Sequence, residues 1–106
     1  MRNGGIHNGV SLLEPMWVVD TFANGDTQAW GRGEFFESFP KGAYRNQWYS
    51  IGDGELCAIG IHGQWIYIDY DAGMVAVKQS SQPVPDDEAL DNLTYAMFQA
   101  IADELR

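Results

Sequence analysis

The alternation of apolar and polar residues in the second half of the chain predicts a series of strands. Residues 44–51, 55–61, 64–70 and 74–79 are rich in Ile, Val, Tyr and Trp, which favour a pleated, packed surface. Turn-forming residues separate the runs, with Asp53-Gly54 after the first. The pattern predicts an antiparallel meander of about four strands.

Helical spacing occurs near both ends of the chain. Residues 12–22 predict a short helix with Pro15 in its first turn and Asn24-Gly25 ending it. A longer helix, capped by Asp86, carries an apolar stripe that is expected to pack on one face of the sheet: Leu90, Leu93, Met97, Ile101 and Leu105. Residues 1–106 are therefore predicted to form one α+β domain.

Two glycine-rich stretches show neither helical nor strand spacing of their apolar residues. Residues 1–10 predict a turn-rich entry without a helix. Residues 24–42 interleave glycines with Trp30, Phe35, Phe36 and Phe39, and such aromatic side chains usually hold a loop against the body of a protein.

A polar group interrupts the most β-prone stretch of the chain. Residues 57–69 are strongly apolar except for His62, Gly63 and Gln64 at their centre. Either the backbone turns there or a ligand or another backbone approaches it closely.

The composition narrows the classes of partner. The net charge of −9 disfavours nucleic acid and anionic membrane surfaces. No apolar run approaches the ~20 residues that span a bilayer, and residues 1–4 do not read as a signal peptide. One cysteine excludes an internal disulfide and leaves the compartment open, with the cytoplasm slightly favoured.

Four segments together resemble the C-terminal end of the β-lactamase-related serine hydrolases. They are Arg2-Asn-Gly-Gly-Ile-His-Asn-Gly9, Tyr44-Arg-Asn-Gln-Trp-Tyr49, Cys57-Ala-Ile-Gly-Ile-His-Gly-Gln-Trp-Ile-Tyr-Ile-Asp69 and Lys78-Gln-Ser-Ser-Gln-Pro83. The branch they resemble holds class C-like β-lactamases, esterases and 6-aminohexanoate-dimer (nylon-oligomer) hydrolases. The resemblance implies the C-terminal part of the β-lactamase/transpeptidase-like fold and hydrolysis of a small amide or ester substrate through a serine acyl-enzyme.

The resemblance also implies a role for the polar group. His62-Gly63-Gln64 stands where the family has Lys-Thr-Gly or His-x-Gly on a late strand, and the backbone N–H of Trp65 stands where an oxyanion-hole donor lies. Gln64 replaces the commoner Gly. The alternative is that His62 is only a polar residue at a strand junction.

The nucleophile side of such a site is not expected in this chain. Ser38-Phe-Pro-Lys41 and Tyr44-Arg-Asn46 match Ser-x-x-Lys and Tyr-x-Asn in letters. Pro40 and Gly42 prevent the helix that would place Lys41 beneath Ser38, and Tyr44 begins a predicted strand. No catalysis is therefore expected from these residues alone, and no cofactor is implied.

Other candidate sites fail on spacing. Alternation along a strand sends Cys57 and His62 to opposite faces, so Cys57 is expected in the core rather than in a nucleophile pair. Asp69-x-Asp71-x-Gly73 lacks the later ligands of a calcium loop, and no metal site is expected.

A different class of function is also compatible with the sequence: a small acidic interaction or scaffold module without an active site. A piece of a larger hydrolase should leave apolar surface bare, which favours a homo-oligomer with an interface on the sheet face or on aromatic residues 30–49. A further possibility is a separate polypeptide that carries the Ser-x-x-Lys half.

Overall fold

The computed structural model describes residues 1–106 and shows an α+β fold around a five-stranded antiparallel sheet of order β3-β4-β5-β6-β7. The elements in chain order are β1 (Ile6–His7), β2 (Val10–Ser11), α1 (Pro15–Ala23), α2 (Thr27–Trp30), β3 (Ala43–Arg45), β4 (Trp48–Gly52), β5 (Glu55–Gly60), β6 (Gln64–Asp69), β7 (Met74–Lys78) and α3 (Glu88–Leu105).

The sheet has five strands, and the prediction of about four was wrong at residues 44–51. This run folds into a hairpin, because Asn46 and Gln47 have φ of 53° and 68° and connect β3 to β4. Two consecutive positive φ angles define the tight turn that matches the twist of paired strands. The usual signal for that turn is Asn-Gly, and Asn-Gln is a weaker form of it.

The N-terminal segment contains a second turn of this type. Asn8 and Gly9 have φ of 49° and 76°, and they join β1 to β2 in a small hairpin separate from the main sheet. The sequence predicted the turns of residues 1–10 but not this pairing.

Helix α1 begins at Pro15, three residues later than predicted, because proline at the first helical position lacks only an N–H that has no partner there. Val18 and Thr21 are its buried side chains. Asp20 joins α1 to the β3–β4 hairpin, accepting hydrogen bonds from Arg45 Nε at 2.9 Å and from Asn46 Nδ2 at 3.0 Å. The hairpin and α1 therefore hold one another in place.

The core lies on one face of the sheet. Its buried members come from four strands, the loop before β3 and α3: Phe39, Ile51, Cys57, Trp65, Tyr67, Met74, Phe98 and Ala102. The prediction that aromatic residues pin the 24–42 loop is confirmed for Trp30, Phe35 and Phe39. The indole N–H of Trp30 donates to the Phe39 carbonyl at 2.8 Å.

The C-terminal helix packs on the sheet, but with a different face from the one predicted. The five residues of the predicted stripe are all exposed, with Leu93 at 65%, whereas Thr94, Phe98 and Ala102 are buried. Apolar residues occupy most of the circumference of α3, so spacing alone could not identify the packed side. Its N-cap is Asp87 rather than Asp86, and the Asp87 carboxylate accepts from Leu90 N at 3.1 Å.

The opposite face of the sheet is only partly covered. Residues of the N-terminal segment, together with Trp48, Ile68 and Val75, line an open cavity of about 600 Å³. On the same face, Ile66, Val75 and Val77 are exposed at 39%, 50% and 68%. No helix is both long enough and apolar enough to cross a membrane.

Candidate functional site

His62 and Gly63 lie in the tight turn that joins β5 to β6, and not on a strand as expected. The turn spans Ile61–Gly63, and Gly60 pairs with Gln64 across it. His62 and Gly63 have φ of 59° and 81°, so both residues are in the left-handed region. Both explanations for the polar interruption hold, because the backbone turns there and the backbone of Gln82 and Pro85 approaches the turn closely.

The segment after β7 clamps this turn. The backbone N–H of His62 donates to the Pro85 carbonyl at 2.9 Å. The imidazole Nδ1 lies 2.8 Å from the Gln82 carbonyl oxygen. Since a carbonyl oxygen only accepts, Nδ1 carries the proton in this contact. The first bond holds the backbone of His62 against residues 82–85, and the second holds its ring there.

The second imidazole nitrogen of His62 is free. Nε2 has no hydrogen-bond partner in the chain. Gln82 Oε1, and not this nitrogen, is the side-chain atom that is both fully buried and without a partner. Nε2 therefore keeps some solvent-accessible surface on this half-buried residue. With Nδ1 protonated, neutral His62 presents a lone pair at this position.

Gln64 is the second anchor of the same segment. Its side-chain Nε2 donates to the Ser80 carbonyl at 2.5 Å and to the His62 carbonyl at 3.1 Å, and its Oε1 accepts from Ser80 N at 3.2 Å. The whole amide group is used inside the chain. Gln64 therefore shapes the turn and holds residues 80–85 against it.

Gly63 is packed against the clamping segment. It is buried, and a Cβ atom at this position would lie 2.9 Å from Gln82 Oε1 and 3.1 Å from Ser80 Oγ. Gln82 itself is 7% exposed, and its Oε1 is the one buried side-chain atom without a hydrogen-bond partner. Glycine suits the backbone angle at position 63, and a larger residue would require the Gln82 and Ser80 side chains to shift.

Trp65 anchors the site to the core. Its side chain is 1% exposed, its indole N–H donates to Asp91 Oδ1 at 3.2 Å, and its ring meets Phe98 edge-on with centroids 6.0 Å apart. Partial burial raises the pKa of Asp91, although the indole N–H and Lys78 favour its charged form.

The backbone of Trp65 lies inside the sheet. Trp65 is opposite Ile59 of β5 and Lys78 of β7. In an antiparallel ladder, the N–H of such a residue is directed at one of its two neighbouring strands.

Residues 80–85 hold the turn in place, a role that the sequence analysis did not assign to them although Lys78–Pro83 carries part of the family resemblance. Their position follows from the hairpin register: Trp65 pairs with Lys78, which places Gln64 beside the residues that leave β7. A polar run directly after a strand, opposite a polar turn, is the signal that could have revealed the clamp.

The structure does not assemble the other matched motifs into a site. Residues 31–42 contain no helix, and Lys41 approaches the exposed Asp53 at 3.9 Å instead of Ser38. Asn46 is engaged with Asp20. Cys57 is fully buried, as expected, and burial raises the pKa of its thiol. No group of His, Cys, Asp and Glu is arranged to hold a metal ion.

A second polar cluster lies at the far end of the sheet. The buried Glu55 carboxylate accepts hydrogen bonds from the hydroxyls of Tyr67 and Tyr95. Arg106 donates to the buried Asp69 at 2.5 Å. Burial, followed by the bond to Glu55, raises the pKa of Tyr67. Because its groups are paired with one another, the cluster ties α3 to β5 and β6.

Comparison with known proteins identifies a related hydrolase. No protein-family model matches the chain. Over 88 residues, which are 81% of the chain, it is 38% identical to a 6-aminohexanoate-dimer hydrolase from Paenarthrobacter ureafaciens. The chain spans only 22% of the length of that relative. It is therefore related to the 6-aminohexanoate-dimer hydrolases over a segment of their length.

Proposed function

We propose that this chain supplies the strand side of the active site of a β-lactamase-related serine hydrolase, which cleaves an amide or ester through an acyl-enzyme. The observation that carries the proposal is the 38% identity over 88 residues to a 6-aminohexanoate-dimer hydrolase. A Ser-x-x-Lys helix and a tyrosine base are missing from these 106 residues. The chain alone is therefore expected to be inactive, and catalysis needs residues from elsewhere.

His62, Gly63 and Gln64 form the proposed substrate side of the site. The clamp by residues 80–85 supports this role, because a binding group must be held in one geometry to stabilise a transition state. Nε2 of His62 has no hydrogen-bond partner within the chain. Gln64 is a positioning residue, since its amide is bonded to Ser80 and His62.

The backbone N–H of Trp65 is the proposed oxyanion-hole donor. For this role the N–H must make no hydrogen bond within the sheet and must face the substrate. Trp65 is paired with a strand on each side, so whether its N–H is free has to be measured. Amide hydrogen exchange of the full chain tests this part separately. Exchange as fast as that of exposed loop amides supports the role, whereas protection equal to that of the β6 centre overturns it.

The bare apolar surfaces support the same proposal. The exposed stripe of α3 and the exposed Ile66, Val75 and Val77 lie on opposite sides of the molecule. Apolar faces of this kind usually mark contacts with other protein layers. We assign them to contacts with the rest of the hydrolase, as in the β-lactamase/transpeptidase-like fold.

A chimera tests the proposal. The matched segment of the Paenarthrobacter relative is replaced by this chain, and hydrolysis of 6-aminohexanoate dimer and of p-nitrophenyl esters is measured. A folded chimera that hydrolyses either substrate supports the proposal. A chimera that folds with the melting behaviour of its parent but hydrolyses neither contradicts it. The isolated chain serves as the inactive control.

A second candidate function is a small acidic interaction or scaffold module without an active site. The exposed stripe of α3 offers such a module a surface for a partner protein, because five large apolar residues on one helix face usually mark a protein contact. Its net charge of −9 disfavours nucleic acid and anionic membranes as partners. A monomeric state at high concentration, measured by light scattering, counts against the self-association expected of a piece of a larger hydrolase and favours this candidate.

A further inference from the structure

We infer that His62 is a fixed hydrogen-bond acceptor whose Nε2 receives the N–H of a substrate amide, with the Gln82 carbonyl holding the ring in the Nδ1–H form. The substrate part of this inference rests on the proposed hydrolase function. The tautomer part rests only on this chain.

The hydrogen-bond geometry defines the tautomer. The Gln82 carbonyl lies 2.8 Å from Nδ1 and has no proton to give. A neutral imidazole has one N–H, so the proton on Nδ1 leaves Nε2 with its lone pair. This is the less common form of a freely hydrated imidazole, and a fixed carbonyl is what selects it.

The position of the carbonyl is itself held. Gln82 is 7% exposed, and its backbone N–H and side-chain Nε2 are bonded to Ser80 Oγ at 3.2 Å and to the Val84 carbonyl at 3.0 Å. The backbone of His62 is bonded to Pro85 on the other side of the same segment. The His62 ring and the Gln82 carbonyl are therefore both held by hydrogen bonds within residues 80–85 and the turn. Gln82 acts as a positioning residue.

A fixed acceptor discriminates between amides and esters. An amide carries an N–H that can donate to Nε2, whereas the matched ester has an oxygen at that place and leaves the lone pair unused. Sites built to bind a particular hydrogen-bonding group reject analogues that lack it. The geometry thus points to a preference for amide substrates.

The substitution His62→Asn separates the two nitrogens. The short asparagine side chain keeps an N–H near the position of Nδ1 and tolerates a φ of 59°, but it has nothing at the position of Nε2. It should preserve the clamp while removing the acceptor. His62→Ala removes both.

The first experiment measures the tautomer in the full 106-residue chain. Long-range ¹H–¹⁵N spectra of histidine-labelled protein, recorded at about pH 8 where an ordinary imidazole is neutral, report which nitrogen is protonated. His7, which is exposed, is the internal control. We expect Nδ1–H for His62 and mainly Nε2–H for His7. The same Nε2–H pattern for both overturns the inference.

The second experiment uses the chimera with the p-nitroanilide and the p-nitrophenyl ester of 6-aminohexanoate. His62→Asn should lower kcat/KM for the anilide at least ~10-fold more than for the ester, the size of one lost hydrogen bond. Equal losses for both substrates, in a variant of unchanged stability, overturn the acceptor role. A chimera inactive on both defeats the proposed function, and the tautomer spectrum then decides the remaining inference.

Discussion

At the scale of single residues, the turn at His62 depends on local backbone geometry and on distant carbonyls. Sequence reasoning identified His62, Gly63 and Gln64, because a polar group in a strongly apolar run must have a cause. It did not identify Gln82 or Pro85 as their partners. Those contacts use backbone carbonyl groups, which every residue carries and no sequence pattern marks.

Replacing Gly63 with alanine tests the close packing of the turn. Gly54→Ala is the matched control, because both residues have φ near 80° but a Cβ at position 54 meets nothing closer than 3.9 Å. The control should cost about 1–2 kcal/mol for the left-handed backbone. Gly63→Ala should cost about 1–3 kcal/mol more, because its Cβ overlaps Gln82 and Ser80. Urea unfolding measures both, and equal losses would refute the packing argument.

At the scale of elements, the sequence predicted which segments are helical and which are extended better than it predicted how they face one another. The α3 helix was expected to pack through Leu90, Leu93, Met97, Ile101 and Leu105. It packs instead through an arc containing Phe98 and Ala102. Hydrogen bonds from Trp65 to Asp91 and from Lys78 to Thr94 orient the helix. Such tertiary bonds decide between two apolar arcs that have equal helical spacing.

Paired substitutions on α3 distinguish its two faces. Phe98→Ala should destabilise the chain by about 3–5 kcal/mol, since it leaves a cavity beside Trp65 and Tyr67. Leu93→Glu, on the exposed stripe, should change the free energy of unfolding by less than about 0.5 kcal/mol in the monomer. Thermal or urea unfolding supplies the comparison. A larger loss from Leu93→Glu, at protein concentrations where both chains are monomeric, would mean that the predicted stripe is the packed one after all.

The contact between α1 and the β3–β4 hairpin should depend on pH. Hydrogen bonds from Arg45, Asn24 and Asn46 hold the pKa of Asp20 far below its ordinary value. The unfolded chain therefore takes up this proton first as the pH falls. The stabilisation is complete above the ordinary aspartate pKa of about 3.9 and is lost progressively below it.

The variant Asp20→Asn checks this dependence. Unfolding midpoints measured from about pH 6 down to about pH 2 should fall less steeply with acidity in this variant than in the parent chain. Asp53→Asn is the control, because that exposed carboxylate makes only a 3.9 Å contact with Lys41. An unchanged slope for Asp20→Asn would contradict the role of the Asp20 contacts.

At the scale of the whole molecule, the α+β class and the antiparallel meander were predictable from periodicity and turn residues. The fifth strand was not, because an Asn-Gln turn inside an apolar run carries little signal. The composition predicts a net negative charge, but it does not show which apolar residues remain exposed. That outcome depends on the packing of α3 and on how much of the sheet the N-terminal segment covers.

The exposed stripe of α3 should make the isolated chain self-associate. Light scattering after size exclusion is expected to show a dimer or larger species, favoured by added salt because salt screens the charge of −9. Leu93→Lys with Ile101→Lys should give a monomer, whereas Asn92→Lys with Gln99→Lys on the polar side should not. A parent chain that stays monomeric at high concentration and high salt would contradict this prediction.

Whether the 61–64 turn takes part in hydrolysis is measured by kcat/KM of the chimera with and without His62. If the 61–64 turn belongs to the hydrolase site, His62→Ala should lower kcat/KM by about 10²-fold or more while the fold is retained. Gln99→Ala is the control, because Gln99 bonds to Tyr95 beside Glu55, at the other end of β5. Equal activity of the His62→Ala and Gln99→Ala chimeras would show that the turn is not part of the site.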